Sequence, residues 1–319
     1  MITYATLKDK PQEFLAATSL TDNEFQRLLP VFRDAYLVGL STTTTLEGKV
    51  RRRKTGAGAK GTLQTMETKL LFILVYEKTY PLQTMQGLHF GLSQPQTNYW
   101  IQRLLPVLRA ALRQLHVLPE REASTFATQR PQDMPADLLI DGTERRRQRP
   151  QDASEQTNHY SGKKKAHMDK NLLLANTQTD WVEYLGPTEP GRRHDKAMAD
   201  SDPIAYPAGT TLGKDLGFQG YEPSHVVTYQ PKKKPKGHAL EVGEKFLNRI
   251  MSGVRIRVEH VIAGVKRCRI VKDIFRNLKD GLSDLVMEIA CGLHNFRISN
   301  RHPQPTVKLL DFVIQSNSR

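Results

Sequence analysis

Cysteine is nearly missing from this sequence. Only Cys268 and Cys291 stand among 319 residues, too few for a disulfide framework or a cysteine zinc site, which fits a reducing compartment. Long apolar runs are missing as well. The best, Leu70-Leu71-Phe72-Ile73-Leu74-Val75-Tyr76, falls far short of the roughly 18 residues that a membrane span needs. No secretory signal opens the chain, so a soluble, cytoplasmic protein with no membrane partner is expected. No GxGxxG opens a helix after a strand, and GxxxxGK(S/T) does not occur, so nucleotide hydrolysis has no support. The ten histidines are scattered without HExxH spacing, so His159, His167, His194 and His260 read as polar or phosphate-facing side chains rather than metal ligands. Negative charge is in short supply too: 33 Asp plus Glu stand against 47 Lys plus Arg, a net +14. Such a surface attracts a polyanion. Nucleic acid is the usual one, with an acidic membrane surface as the rival.

A chain of this length should divide into more than one unit, since single cores stop growing at roughly 250 to 300 residues. Residues 1–60 read as a helical segment followed by a basic linker. Thr21-Asp22-Asn23-Glu24 offers a capping start, and Phe25, Leu28, Leu29, Phe32 and Tyr36 follow at helical spacing. Threonines and the cluster Arg51, Arg52 and Arg53 then break the periodicity, as a solvated linker or as an arm that grips phosphate. Residues 61–120 carry three helical runs, Lys69 to Tyr76, Leu82 to Leu88 and Pro95 to Leu115. The breaker at Gly91 between the last two gives the layout of a helix-turn-helix, whose second helix would meet base edges through Gln96, Thr97 and Asn98. An ordinary trihelical packing unit has the same pattern, and the +14 background favours DNA contact.

The third unit, 136–300, opens on Leu138-Leu139-Ile140 followed by Asp141-Gly142, which reads as a buried strand ending in a turn with a carboxylate at its tip. Alone this is a common turn pair. Downstream, Asp215 repeats the pattern after Thr210-Thr211-Leu212-Gly213 and before glycines. If both strands are parallel neighbours, their ends bring two carboxylates together, where open α/β sheets usually carry their sites. Two close carboxylates repel, so a divalent cation between them is the natural partner. Basic residues crowd this acid in sequence: Arg145 and Arg146, then Lys163, Lys164 and Lys165, and later Lys232, Lys233 and Lys234. Each run is a solvated face or a grip on a phosphodiester backbone. Lys170 to Asn176 and Trp181 to Leu185 read as a hairpin beside the first strand. From about Ala239 to Arg267 a long helix presents Val254, Val258, Val261, Ile262 and Val265 as one stripe, with Arg255, Glu259 and Lys266 together on a flank. Arg255 and Glu259 are at least an i,i+4 surface pair. Asp195, in Gly191-Arg192-Arg193-His194-Asp195, is either a helix-start acid or a further member of the site.

Ile140-Asp141-Gly142-Thr143-Glu144, Tyr160-Ser161-Gly162-Lys163-Lys164-Lys165, Gly191 to Asp195, Asp215 to Gly220 and Arg255 to Lys266 occur in an order that resembles the bacterial transposases of insertion-sequence family five, in the superfamily shared with family four. They are also similar to Harbinger-type DDE endonucleases. Arg255, Glu259 and Lys266 fit the helix signature of that superfamily, while Ser252 stands where tyrosine is expected. The resemblance implies an α/β, RNase H-like catalytic core, a mixed sheet flanked by helices, preceded by an all-α helix-turn-helix region, with 301–319 left as a tail. It implies Asp141, Asp215 and Glu259 as catalytic residues and metal ligands for two Mg²⁺ ions, with Mn²⁺ as a substitute. It further implies hydrolysis at transposon ends, joining of the 3′-hydroxyl to target DNA, binding of terminal inverted repeats, a homodimer or higher assembly on DNA, and a nucleoid-associated location. The alternative is a catalytically retired relative that acts as a sequence-specific DNA-binding regulator.

Overall fold

The computed structural model describes residues 1–39, 50, 61–129, 136–234 and 239–302. Arg51, Arg52 and Arg53, and all of the 301–319 tail beyond His302, lie outside the described residues. Six helices come first: α1 (Tyr4–Leu7), α2 (Pro11–Thr18), α3 (Asp22–Val38), α4 (Met66–Thr79), α5 (Gln83–Phe90) and α6 (Gln94–Gln114). Local chemistry sets their starts. The Thr21 side chain accepts from the Glu24 N–H while Glu24 accepts from the Thr21 N–H, and Ser93 and Gln96 repeat this capping box at α6. α5 ends where Gly91 takes a left-handed φ of 67°, a conformation that a Cβ disfavours. Helix α4 is buried from Lys69 through Glu77, because α2, α3 and α6 all pack around it.

The second half is built on a sheet. Its elements are β1 (Asp137–Arg146), α7 (Ala153–His159), β2 (Tyr160–Ser161), β3 (Ala166–Asn176), β4 (Val182–Leu185), β5 (Glu189–Pro190), α8 (Asp195–Ser201), β6 (Thr211–Gly213), β7 (Val227–Tyr229), α9 (Val242–Val265) and α10 (Leu282–Arg301). The mixed seven-stranded sheet runs β2-β3-β1-β6-β7, with β4 and β5 also on β3. β1 and β3 are antiparallel from Leu138↔Asn176 to Arg146↔Met168, whereas β6 lies parallel to β1 over Asp137↔Thr211 to Leu139↔Gly213. The hairpin of β3 and β4 closes through Asp180 at a φ of 56°.

Alternation along the strands divides the apolar residues between two cores. Leu139, Leu173 and Ala175 join a cluster with Val258, Val261 and Val265 of α9, much of α10, and the helical first half. Leu138, Ile140, Leu172 and Leu174 join the other, with Met198 and Ala199 of α8, Phe218 and Tyr221. The mixed α/β architecture expected for the catalytic part is therefore what the chain forms. One detail differs: β1 does not end at Asp141. It continues to Arg146 because β3 stays hydrogen-bonded beside it, and only the parallel neighbour β6 leaves at Gly213.

Candidate active site at the β1 and β6 strand ends

Asp141 lies two residues past Leu139, and Asp215 lies two residues past its register partner Gly213. Parallel pairing thus carries the two acids to one end of the shared ladder. Asp215 then caps a short 3₁₀ turn, its Oδ1 accepting from the Gly217 N–H at 2.7 Å. Asp141 Oδ1 accepts from the Gly142 N–H at 2.8 Å. Burial pushes the Asp141 carboxyl up to about 6, and the charges of Asp215 and Asp195 push the same way, against the Gly142 N–H and Arg255. A carboxylate whose surroundings oppose its own ionisation is one that a cation would relieve.

Helix α9 closes this corner. Arg255 Nη2 stands 3.7 Å from Asp215 Oδ2, and Lys266, just past the end of the helix, donates from Nζ to the Glu144 carbonyl at 3.1 Å. Burial lowers the Lys266 ammonium pKa, as does Arg145, while Asp141 and Glu144 raise it. Glu259 is exposed on α9, and helix geometry sets it about 40° from Arg255 and about 20° from Lys266, on the same flank. Among the described residues, however, no three His, Cys, Asp or Glu side chains converge closely enough to hold a metal ion. The structure therefore brings Asp141 and Asp215 to one strand end, and does not gather Glu259 with them into one coordination cluster.

Two side chains expected at DNA are elsewhere. Arg145 is 2% exposed; it donates to the Ser283 carbonyl at 2.9 Å, to Asn171 Oδ1 at 2.7 Å and to Thr188 Oγ1 at 3.2 Å. It shares the face of Leu139 and Asp141, which α9 and α10 cover, so alternation along β1 turns it inward. Thr97 is fully buried, with Oγ1 donating to the Ser93 carbonyl at 2.9 Å. Its neighbours differ: Gln96 and Asn98 are exposed, Gln96 capping α6 and Asn98 accepting from Gln83 at 3.2 Å. Arg146, Lys163, Lys164, Lys165, Lys232, Lys233 and Lys234 are exposed.

Sequence reasoning missed Lys170. It is buried on β3, 3.0 Å from Asp195 Oδ1 and 3.6 Å from Glu144 Oε1. A lysine and an asparagine heading an otherwise apolar strand were the available signal, because buried charge needs partners.

The family comparison agrees with this geometry. Residues 140–295 match the model of the DDE superfamily endonucleases. This stretch, just under half of the chain, is similar to a DDE endonuclease domain. Over 289 residues, 89% of this chain and 97% of the relative, it is also 26% identical to a probable transposase for insertion sequence element IS702 from Microchaete diplosiphon. No solved structure matches the chain. The matched stretch begins within β1, one residue before Asp141, and ends within α10, so it contains Asp141, Asp215 and the whole of α9. Its relative extends the likeness across the helical first half, and no described helix is long and apolar enough to cross a membrane.

Proposed function

We propose that this protein is an insertion-sequence transposase that binds the terminal inverted repeats of its element, hydrolyses DNA at their ends and joins the freed 3′-hydroxyl to target DNA. The observation that carries the reading is the parallel register of β1 and β6, which sets Asp141 and Asp215 side by side inside a DDE domain. Their hard carboxylate oxygens fit a divalent cation of the Mg²⁺ kind. Burial, with the charge of Asp215, pushes the Asp141 carboxyl up further than the Gly142 N–H and Arg255 bring it down, which a bound cation would relieve.

In this reading Asp141 and Asp215 hold the metal in an RNase H-like core, and Glu259 completes the set from the flank of α9 that already meets the site through Arg255 and Lys266. Two Mg²⁺ ions, or Mn²⁺ in their place, would supply an activated water and stabilise charge on the reacting phosphate. The protein's own side chains do the rest. Arg255 can move from Asp215 onto a DNA phosphate when the carboxylates gain another cation, and Lys266 stays anchored to β1 beside Asp141. Gln96 and Asn98 present their side chains at the start of α6, the second helix of a helix-turn-helix, where base edges are read. Arg146, Lys163, Lys164, Lys165 and the run Lys232 to Lys234 track the backbone, and a homodimer or larger assembly pairs two ends.

Incubation of the chain with DNA carrying the element's own ends and Mg²⁺ tests this. The parent should nick at the ends, and Asp141→Ala, Asp215→Ala and Glu259→Ala should not. Equal cutting by all four would discard the assignment. Tight end binding with no cutting by the parent would leave a retired regulator instead.

A further inference from the structure

Behind the two aspartates, on the other face of the sheet, stands a pair that the reaction itself does not use. Gly142 follows Asp141 and points to the opposite side of β1. There Asp195, the first residue of α8, occupies the space where a side chain at 142 would stand: a Cβ on residue 142 would collide with Asp195 Oδ1. The same carboxylate reaches the loop of the second acid. A Cβ on Gly217 would lie 3.0 Å from Asp195 Oδ2 and 2.9 Å from Asp215 Oδ1, and the Gly217 N–H is the one that Asp215 accepts. Asp195 thus bears on the peptide after Asp141 and on the peptide that fixes Asp215. One side chain abuts both.

Asp195 is itself held. Lys170, 6% exposed on β3, lies 3.0 Å from Asp195 Oδ1 and 3.6 Å from Glu144 Oε1, and donates to the Arg193 carbonyl at 3.1 Å. Glu144 and Lys170 are register partners across β1 and β3. A buried ammonium on a central strand therefore anchors α8 against the back of the strand end. The lysine end of this pair is buried while the Asp195 side chain is 29% exposed, so the sheet fixes the ammonium and the ammonium holds the carboxylate.

We infer that Asp195, held by Lys170, is a positioning residue: a buttress that sets the spacing of Asp141 and Asp215 from behind and so tunes how tightly they hold a divalent cation. The inference rests on the proposed function, since it needs those two aspartates to be ligands. Partners that orient metal ligands from outside typically change affinity 10- to 100-fold when lost.

The test uses the full chain without DNA and measures Mn²⁺ affinity by calorimetry, alongside thermal unfolding. Asp195→Ala and Lys170→Met should each weaken Mn²⁺ binding 10- to 100-fold in chains that remain folded. Gly142→Ala should also weaken it, because the new methyl displaces Asp195. In an Asp195→Ala background, by contrast, Gly142→Ala should change affinity no further, since the collision is gone. A merely structural role would lower the unfolding temperature and leave the affinity of the folded chain unmoved, and that result overturns the buttress. So does a Gly142→Ala effect that is undiminished without Asp195. If the parent binds Mn²⁺ and every variant binds it equally, the buttress alone fails. A parent that binds no Mn²⁺ removes the proposed function, and the buttress with it.

Discussion

Asp141 and Asp169 share one face of the sheet, one strand apart, and the chain treats them in opposite ways. Asp169 is 1% exposed on β3, yet its carboxyl is held down at about 2. Burial alone would raise it, but hydrogen bonds from His159 and Ser283 and the charges of Arg145 and Arg147 outweigh burial. Its contacts are short: 3.0 Å to Arg147, 3.1 Å to His159 and 2.5 Å to Ser283. Asp141 has one backbone N–H and a neighbouring Asp215, and is pushed up to about 6. The first acid is satisfied by the protein and ties β3 to β1, α7 and the start of α10. The second is left in want of a cation, which is what a reactive site requires and a framework avoids.

The largest break in this comparison is expected in activity. If Asp141 and Asp215 hold the metal as proposed, removing either withdraws charge stabilisation worth several kcal/mol, so Asp141→Ala and Asp215→Ala should lower end nicking by about 10³-fold or more at 1.36 kcal/mol per decade, while Asp169→Asn should act mainly through folding. The next effect is on stability. Asp169→Ala withdraws the partner of Arg147, His159 and Ser283 and a counter-charge of the buried Arg145, and should cost about 3–5 kcal/mol in urea unfolding, the usual result of breaking a buried pair. Loss of under 1 kcal/mol would show that the network is not what fastens α10 to the sheet.

Much of this contrast was legible in the sequence, and part was not. An acid after a short β-compatible run and before glycine singled out Asp141 and Asp215, because such runs and turn residues are local signals. The α9 stripe of Val258, Val261 and Val265 likewise declares its buried face by period. Arg145 misled, because a basic run such as Arg145-Arg146-Arg147 looks solvated until the strand is known to continue past Asp141. Once it does, alternation sends every second side chain inward. Lys170 and Asp195 could not be joined from sequence: their link depends on register between β1 and β3 and on a glycine at 142 leaving room, neither of which has a local signature. α10 also escaped notice, since it is buried on nearly all sides, with Glu288, His294, Asn295 and Arg297 among its buried residues, and so lacks a clean polar face.

A gentler change sharpens the comparison by separating function from stability. Because the native Asp141 carboxyl titrates near 6 and the unfolded one near 3.9, the folded metal-free chain binds the proton more tightly than the unfolded chain between those pH values. Its stability therefore falls as pH rises through this window. Asp141→Asn removes the ionising group, so it should stabilise the metal-free chain by about 1–3 kcal/mol at pH 8 and by almost nothing at pH 4, while abolishing nicking. Asp169 has the reverse sign: its contribution is present above about 3.9 and is lost as pH falls through about 2.

The smallest expected effect belongs to His159, which sits between the two behaviours. Its pKa is raised, first by the hydrogen bond to Asp169 and then by that to the Met168 carbonyl, against burial and Arg147. A raised histidine contributes stability that is fully present below about 6.5, the unfolded value, and is lost as pH climbs through the native one. Asp141 and His159 should consequently each contribute one step of stability loss to the metal-free chain on going from pH 4 to pH 8. The step below about 6 belongs to Asp141 and the one above about 6.5 to His159. Unfolding profiles of Asp141→Asn and His159→Gln across that range separate them: the first variant should lack only the lower step, the second only the upper. If His159→Gln removed both, the framework and the site would be one coupled electrostatic unit, and the division between a satisfied aspartate and a wanting one would fail. Independent steps would mean that the pairing of Asp169 is complete without the site, which is how a fold can hold an uncompensated carboxylate next door without loosening around it.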